Sequence, residues 1–573
     1  LQHYIASFSV GARDVIDKFD FGAQISRLDR SNLLYLVVSK FAEIDLHPDR
    51  VSNLEMGYLY EELVRRFSEL SNETAGEHFT PREVIRLMVN LLFIEDEELL
   101  TKPGTIKTML DPACGTGGML SIAEEYLREH NPSAKLKVYG QELNAETFAI
   151  CRSDMMLKNP HDEAHIVYGN SFSEDGHAGT TVDYLLANPP FGVEWKKVAD
   201  AVRDEAASKG YAGRFGAGLP RINDGSFLFL QHMIAKMKPV EQGGSRVAIV
   251  FNGSPLFTGA AGSGESEIRR WIIENDWLEA VVALPDQLFY NTGISTYFWI
   301  VTNRKSPERR GKVQLIDARE RFEKMRKSLG AKRHQISDAQ IDEIVRRYGA
   351  FTEGEDAKIF PNEAFGFLRI TVERPLRVHW EVTDETLAAL EADRKVGKLD
   401  EETRVALRVG VEAWRGEVID DLGVATKRVK ALMVEVGVKG KPLQTAILDA
   451  IAVRDPDADP ITDSKGNVLP DTDLRDHENV PLPTMPVAYE ADVTARLEAV
   501  EYRRTAIEDY LAAEVLPYVP DAWVDHDKTK IGYEIPLTRH FYVYRPPRPL
   551  EEIDAEIKQL EAEIQQLLAE VTE

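Results

Sequence analysis

The sequence predicts an α/β protein built around a mostly parallel sheet, and three observations point to it. Between residues 105 and 302, short β-branched runs alternate with helical stretches, the pattern of strands joined by crossover helices. A glycine-rich turn, Asp111-Pro112-Ala113-Cys114-Gly115-Thr116-Gly117-Gly118, separates the first run from an apolar helical stretch, as at the ligand crevice of an open α/β sheet. Apolar residues make up 43% of the 573 and charged residues 29%, enough for a sizeable core and too apolar for wholesale disorder. At roughly 150 residues per domain, such a chain holds about two to four domains.

Taken in order, Leu33, Leu34, Val37, Val38, Phe41 and then Leu59, Leu63 and Phe67 recur at helical spacing and predict a helical entry region. Seven strands follow, at residues 105–110, 137–141, 165–169, 182–187, 246–251, 278–284 and 295–301. The last two lie too close together for a helical crossover, so they are expected to pair antiparallel. Residues 384–450 read as helical, and residues 454–486, with six prolines and eight acids, as an exposed linker or long ordered loop. Beyond Pro546, Pro547 and Pro549, positions Ile553, Ile557, Leu560, Ile564, Leu567 and Val571 step alternately by four and three, the seam of a coiled coil. That tail carries eight acids and one lysine and needs a partner helix to bury its seam. The expected division is a helical N-terminal region (1–72), a sheet domain (73–335), a helical and linker insertion (336–486) and a C-terminal region (487–573).

The formal net charge of −26 repels a phosphate backbone if spread evenly, so nucleic-acid binding must be local or borrowed from a partner. The charge is segregated: residues 304–333 hold twelve Lys or Arg against four acids, a stretch that could meet phosphates. Cys114 and Cys151 are the only cysteines, too few for a disulfide framework, which favours a reducing compartment and hence the cytoplasm. No window approaches the roughly 18 to 20 apolar residues of a membrane helix, so no membrane partner is expected. The chain starts at Leu1, and native sequence is expected in front of it.

Three motifs carry chemistry. The glycine turn fails the dinucleotide pattern, since Leu120 stands where its third glycine would be, and it is not a P-loop. Cys114 reads as a small side chain filling that turn. Glu142 ends the second strand, where an acid can accept hydrogen bonds from a ribose diol. Asn188-Pro189-Pro190-Phe191 follows the fourth strand directly. Two prolines fix φ and donate no main-chain hydrogen bond, so the segment is stiff. The Asn188 amide oxygen and Pro189 carbonyl can accept from a planar exocyclic amine, and Phe191 offers a face for a base. Residues 210–225, glycine-rich with Arg214 and Arg221, read as a mobile loop.

The order of these motifs resembles the amino-group DNA methyltransferases that modify adenine N6, and more narrowly the modification subunit of type I restriction-modification systems. Gly76-Glu77-His78-Phe79-Thr80-Pro81-Arg82 is similar to that family's Tyr/Phe-Thr-Pro-Arg segment. The resemblance covers residues 57–329 and implies a Rossmann-like, seven-stranded fold using S-adenosyl-L-methionine, so that the sheet domain would be catalytic. It implies that Glu77, His78, Phe79, Thr80, Pro81 and Arg82 line the methionine side of the cofactor. Asp111, Gly115, Thr116, Gly117 and Gly118 would cradle it, Glu142 would hold its ribose and Asn170 would face its adenine. Asn188, Pro189, Pro190 and Phe191 would be catalytic, with no metal required. The implied partners are duplex DNA, a specificity subunit docked on the C-terminal helix, a second modification subunit and a restriction nuclease subunit. Methylation of protein glutamine or of RNA guanine N2 remains open on the motif alone, as does a non-catalytic acidic scaffold.

Overall fold

The computed structural model describes residues 2–47, 49–51, 80–158, 165–290, 292–483, 488–492, 501–544 and 549–572, with the isolated positions 55, 56, 59, 63 and 497. The expectations for Phe67, Glu77, His78, Phe79, Pro546 and Pro547, and for the side chains of Leu567 and Val571, lie outside the described residues.

Strands β1 (Ile106–Asp111), β2 (Lys135–Glu142), β3 (His165–Tyr168), β4 (Tyr184–Ala187), β5 (Arg246–Phe251), β6 (Leu278–Ala283) and β7 (Tyr297–Thr302) fall on the seven predicted runs. β7 pairs antiparallel with β6, as the short connection requires, and with β5. Two more strands extend the sheet beyond the predicted seven: β8 (Lys312–Asp317), parallel to β6, and β11 (Ala357–Pro361), antiparallel to β8. Between them, β9 (Glu323–Leu329) and β10 (Lys332–Gln335) form a separate two-stranded hairpin. The nine-stranded order is β11-β8-β6-β7-β5-β4-β1-β2-β3. The sheet therefore runs past residue 335, where the sequence suggested a boundary.

Alternation along the central strands feeds two cores. In β5, Val247, Ile249 and Phe251 face one core, with the Ser226–Ile234 and Gly264–Glu274 helices. Ala248 and Val250 face the other, with the Arg82–Phe93, Gly118–His130 and Asp338–Ala350 helices. Strands buried on both faces read as continuous apolar runs, which is why they are legible in the sequence.

A buried polar cluster ties these layers together. The Arg246 guanidinium donates to Glu279 Oε1 at 2.9 Å, to the Tyr348 hydroxyl at 2.6 Å and to the Leu92 carbonyl at 3.1 Å. Tyr348 donates in turn to Glu279. Arg309 reaches the Tyr348 carbonyl at 2.5 Å and Gln314 at 3.1 Å. Burial alone would raise the Glu279 carboxyl, but Arg246 and Arg309 hold it below its usual range.

The remainder forms two further units. A second sheet, of β12 (Gly366–Glu373) with β16 (Asp476–Pro481), β17 (Trp523–Val524) and β18 (Lys530–Tyr533), packs Leu368 and Ile370 onto the first core. The proline-rich stretch therefore ends in a paired strand, β16. Between β12 and β16, strands β13 (Val378–Glu381), β14 (Val418–Ile419) and β15 (Ala452–Arg454) and four helices enclose their own core around Trp380, Leu407 and Ile447. At the N-terminus the Val10–Lys18 helix reaches the sheet domain through an Asp14–Arg152 pair at 3.1 Å. At the other end Leu550–Thr572 is one 23-residue helix, exposed throughout its described side chains.

Glu279→Ala leaves the Arg246 charge buried without its counter-ion. It is expected to cost about 3–5 kcal/mol, read as a lower midpoint in urea denaturation followed by tryptophan fluorescence.

Candidate active site

Strand order decides where a ligand can sit. β1 lies between β2 and β4, all parallel; the chain runs through β2 and β3 on one side of β1 and then crosses to β4 on the other, which opens a crevice at the strands' carboxyl ends. Asp111 leads out of β1 into the glycine turn, Glu142 closes β2 and Asn188 follows Ala187 at the end of β4. The three motifs, more than 70 residues apart at their extremes, thus share one edge.

The turn is held by its backbone. The Cys114 amide donates to the Gln141 carbonyl at 3.1 Å and the Gly117 amide to the Cys114 carbonyl at 2.8 Å. Gly117 has φ +82°, a left-handed conformation that favours glycine, and a Cβ there would come within 2.7 Å of Cys151 Sγ. Cys114 is buried, its Sγ 3.9 Å from that of Cys151, and that contact together with burial pushes its thiol up. It fills the turn, as the sequence suggested. Glu142 accepts from the Gly115 amide at 2.9 Å on Oε2 and from the Asn144 amide at 2.7 Å on Oε1. Asp111 is fully buried with one backbone hydrogen bond, from Ala113 at 2.9 Å. Burial pushes its carboxyl up to about 8, and the neighbouring Glu142 charge adds to the rise. Asn170 Oδ1 accepts from the Phe172 amide at 2.9 Å, shaping the loop after β3.

Asn188 is oriented from outside the sheet. Its Nδ2 donates to Thr80 Oγ1 at 2.9 Å, while its Oδ1 is buried and has no hydrogen-bond partner among the described residues. Thr80 and Pro81 precede the Arg82–Phe93 helix, which packs against the helix that follows the glycine turn. A buried amide oxygen without a donor is costly and is kept where a ligand supplies the donor. Pro189 is buried, Pro190 exposed, and Phe191 is half-buried edge-on against Phe289, centroids 5.9 Å apart.

With that geometry in place, the model of one family, described as N-6 DNA Methylase, matches residues 52–365. The chain belongs to the N-6 DNA methylase family. Residues 52–365 end just past β11, the last strand of the large sheet. The chain is 29% identical over 347 residues to the type I restriction enzyme MjaIX methylase subunit of Methanocaldococcus jannaschii, covering 60% of this chain and 57% of that one. It is 30% identical over 267 residues to the HindI methylase subunit of Haemophilus influenzae, covering 46% and 54%. The chain spans about half the length of the curated relatives it matches. Among solved structures, a type I restriction-modification methyltransferase subunit from Streptococcus thermophilus is similar at TM-score 0.47 and 28% identity, over 58% of this chain and 65% of that one.

Other expected residues stand elsewhere. Arg82 is exposed and reaches Glu125 at 3.5 Å. Arg214 is engaged by its own chain: it donates to Glu205 at 2.6 Å, to the Ser171 and Phe172 carbonyls at 2.6 and 2.8 Å and meets His232 at 3.0 Å, bracing the loop after β3. With Phe215 buried beside it, residues 210–225 are an anchored segment and not the free loop expected. Arg221 is part-exposed beside Asp224. Half of the basic stretch is paired within the fold: Arg304 with Asp96, Lys305 with Asp276, Arg309 with Glu95, Arg319 with Asp317, Arg321 with Asp356 and Lys332 with Glu83. No local pattern signals the Thr80–Asn188 contact, since its partners are 108 residues apart. The Asn144 side chain, missed there, caps the helix after β2, accepting from Glu146 at 2.9 Å; an Asn before a helical run was the available signal.

Folded Asp111 keeps its proton up to about pH 8, whereas the unfolded chain releases it near 3.9. Between these values the unfolded state binds fewer protons, so stability falls as pH rises. Asp111→Asn removes this loss. Its melting temperature is expected to match the parent near about pH 4 and to exceed it by a margin that widens up to about pH 8, measured by scanning fluorimetry.

Proposed function

We propose that this chain transfers a methyl group from S-adenosyl-L-methionine to the N6 amine of an adenine in duplex DNA, as the modification subunit of a type I restriction-modification complex. The observation that carries the reading is the buried Asn188 Oδ1, without a partner among the described residues, at the crevice that also holds the glycine turn and Glu142.

The residues present fit the cofactor. Each Glu142 oxygen accepts one backbone amide and keeps a lone pair for a ribose hydroxyl. Thr116, Gly117 and Gly118 open the Gly118–His130 helix, whose first amides and dipole suit the carboxylate end of a zwitterion. When bound, the cofactor would supply an electrophilic methyl on a sulfonium. Asn188 Oδ1 and the Pro189 carbonyl accept from the two hydrogens of the target amine, drawing its lone pair out of the ring's conjugation. They share the positive charge that develops on nitrogen, which stabilises the transition state more than the ground state. The proline pair keeps both acceptors rigid. Phe191 stacks on a base turned out of the duplex, its ring braced at 81° to that of Phe289.

The wider assembly follows the same reading. The seam residues Ile553, Ile557, Leu560 and Ile564 are exposed on the terminal helix and suit a specificity subunit. A second modification subunit completes the proposed methylating complex.

Tritiated methyl transfer from S-adenosyl-L-methionine, by the chain co-expressed with its neighbouring gene product, is expected to label adenine in duplex DNA; label on RNA or protein would overturn the reading. Asn188→Ala is expected to lose about a hundredfold or more in rate while calorimetry finds cofactor affinity within about threefold of the parent. Thr80→Val frees the amide to rotate and should lower kcat about tenfold, with Thr80→Ser restoring it.

A further inference from the structure

Lys324, Arg326, Lys327 and Arg333 differ from the paired Arg319, Arg321 and Lys332 beside them. They are exposed on the β9–β10 hairpin and, among the described residues, form no ion pair. The exposed acid on this hairpin, Glu323, is within 3.5 Å of Gln335. In a chain of net −26, these four make a local reserve of positive charge that the fold does not consume.

The hairpin is fastened to the rim of the crevice. The Ala331 amide donates to the Tyr290 carbonyl and the Arg333 amide to the Gln287 carbonyl, both at 2.9 Å. Gly330, with φ +59°, lies so close that a Cβ there would fall 2.4 Å from the Tyr290 oxygen. The Lys332 ammonium donates to the Leu288 carbonyl at 3.0 Å and pairs with Glu83, three residues after Thr80. The same 287–290 segment carries Phe289, the ring against Phe191. Lys324 and Arg326, two apart on one strand, share a face and stand about 7 Å apart along it.

We propose that this hairpin is a phosphate-contacting strip for duplex DNA, holding the backbone beside the point where a base enters the crevice. The proposal rests on the DNA-modifying reading above and adds where the backbone is gripped. It accounts for a strongly acidic protein approaching a polyanion: the contact is confined to one strip at the rim.

The test compares the co-expressed full chain with its Lys324→Glu/Arg326→Glu/Lys327→Glu and single Arg333→Glu variants. Anisotropy of a labelled duplex between about 50 and 200 mM salt gives the dependence of log affinity on log salt. Each lost phosphate contact should flatten that slope by about 0.9, so a change of about 2–3 is expected for the triple variant and about 1 for Arg333→Glu. In methylation assays KM for DNA should rise about tenfold or more with kcat within about twofold, as for lost uniform binding. An unchanged slope in a folded triple variant, judged by its melting curve, overturns the proposal, as does a slope change confined to duplex RNA. The two readings fail separately. A parent that methylates no DNA but whose slope still responds to the hairpin defeats the function and leaves the strip, whereas active variants with unaltered slope defeat only the strip.

Discussion

Strand β4 has no freedom, and the candidate site depends on that. All four of its residues are buried, with Leu185 and Ala187 in one core and Tyr184 and Leu186 in the other. At its entrance the Tyr184 hydroxyl donates to Asp96, and Asp183 accepts from the Thr108 amide and hydroxyl at 2.9 and 2.6 Å and pairs with Lys238 at 2.7 Å. A slip of one residue would exchange the two faces and break these contacts together. The register is therefore fixed, and with it the distance from the glycine turn at which Asn188 emerges.

A rigid strand sets the position of the amide but not its rotation, and that second constraint comes from Thr80. Sequence reading reached the first and not the second. The seven apolar runs were legible because strands sandwiched between two helical layers are apolar on both faces. β8 was hidden because its Val313, Leu315 and Ile316 lie within the basic stretch. Glu142 and Asn188 were legible as strand-end polar residues beside special backbone. The partners of Asn188 and of Arg214 depend on chain crossings that no local pattern records.

Arg214 illustrates how charge misleads when read without geometry. An arginine in a glycine-rich segment suggests a phosphate ligand, yet this one supports two carbonyls and a carboxylate of its own chain. The same holds for Arg309, whose guanidinium is buried between Tyr348 and Phe351. Buried arginines are kept where several fixed acceptors match their donor fork, and the sheet domain uses them as braces between layers.

The terminal helix has a mechanical consequence. Twenty-three residues of helix extend about 34 Å at 1.5 Å per residue. A rotation of only about 5° at the Leu550 end would displace the far tip by about 3 Å, more than half a helical turn. Anything clasped along this rod feels a lever arm, so small adjustments at its base become large changes of aim at its tip.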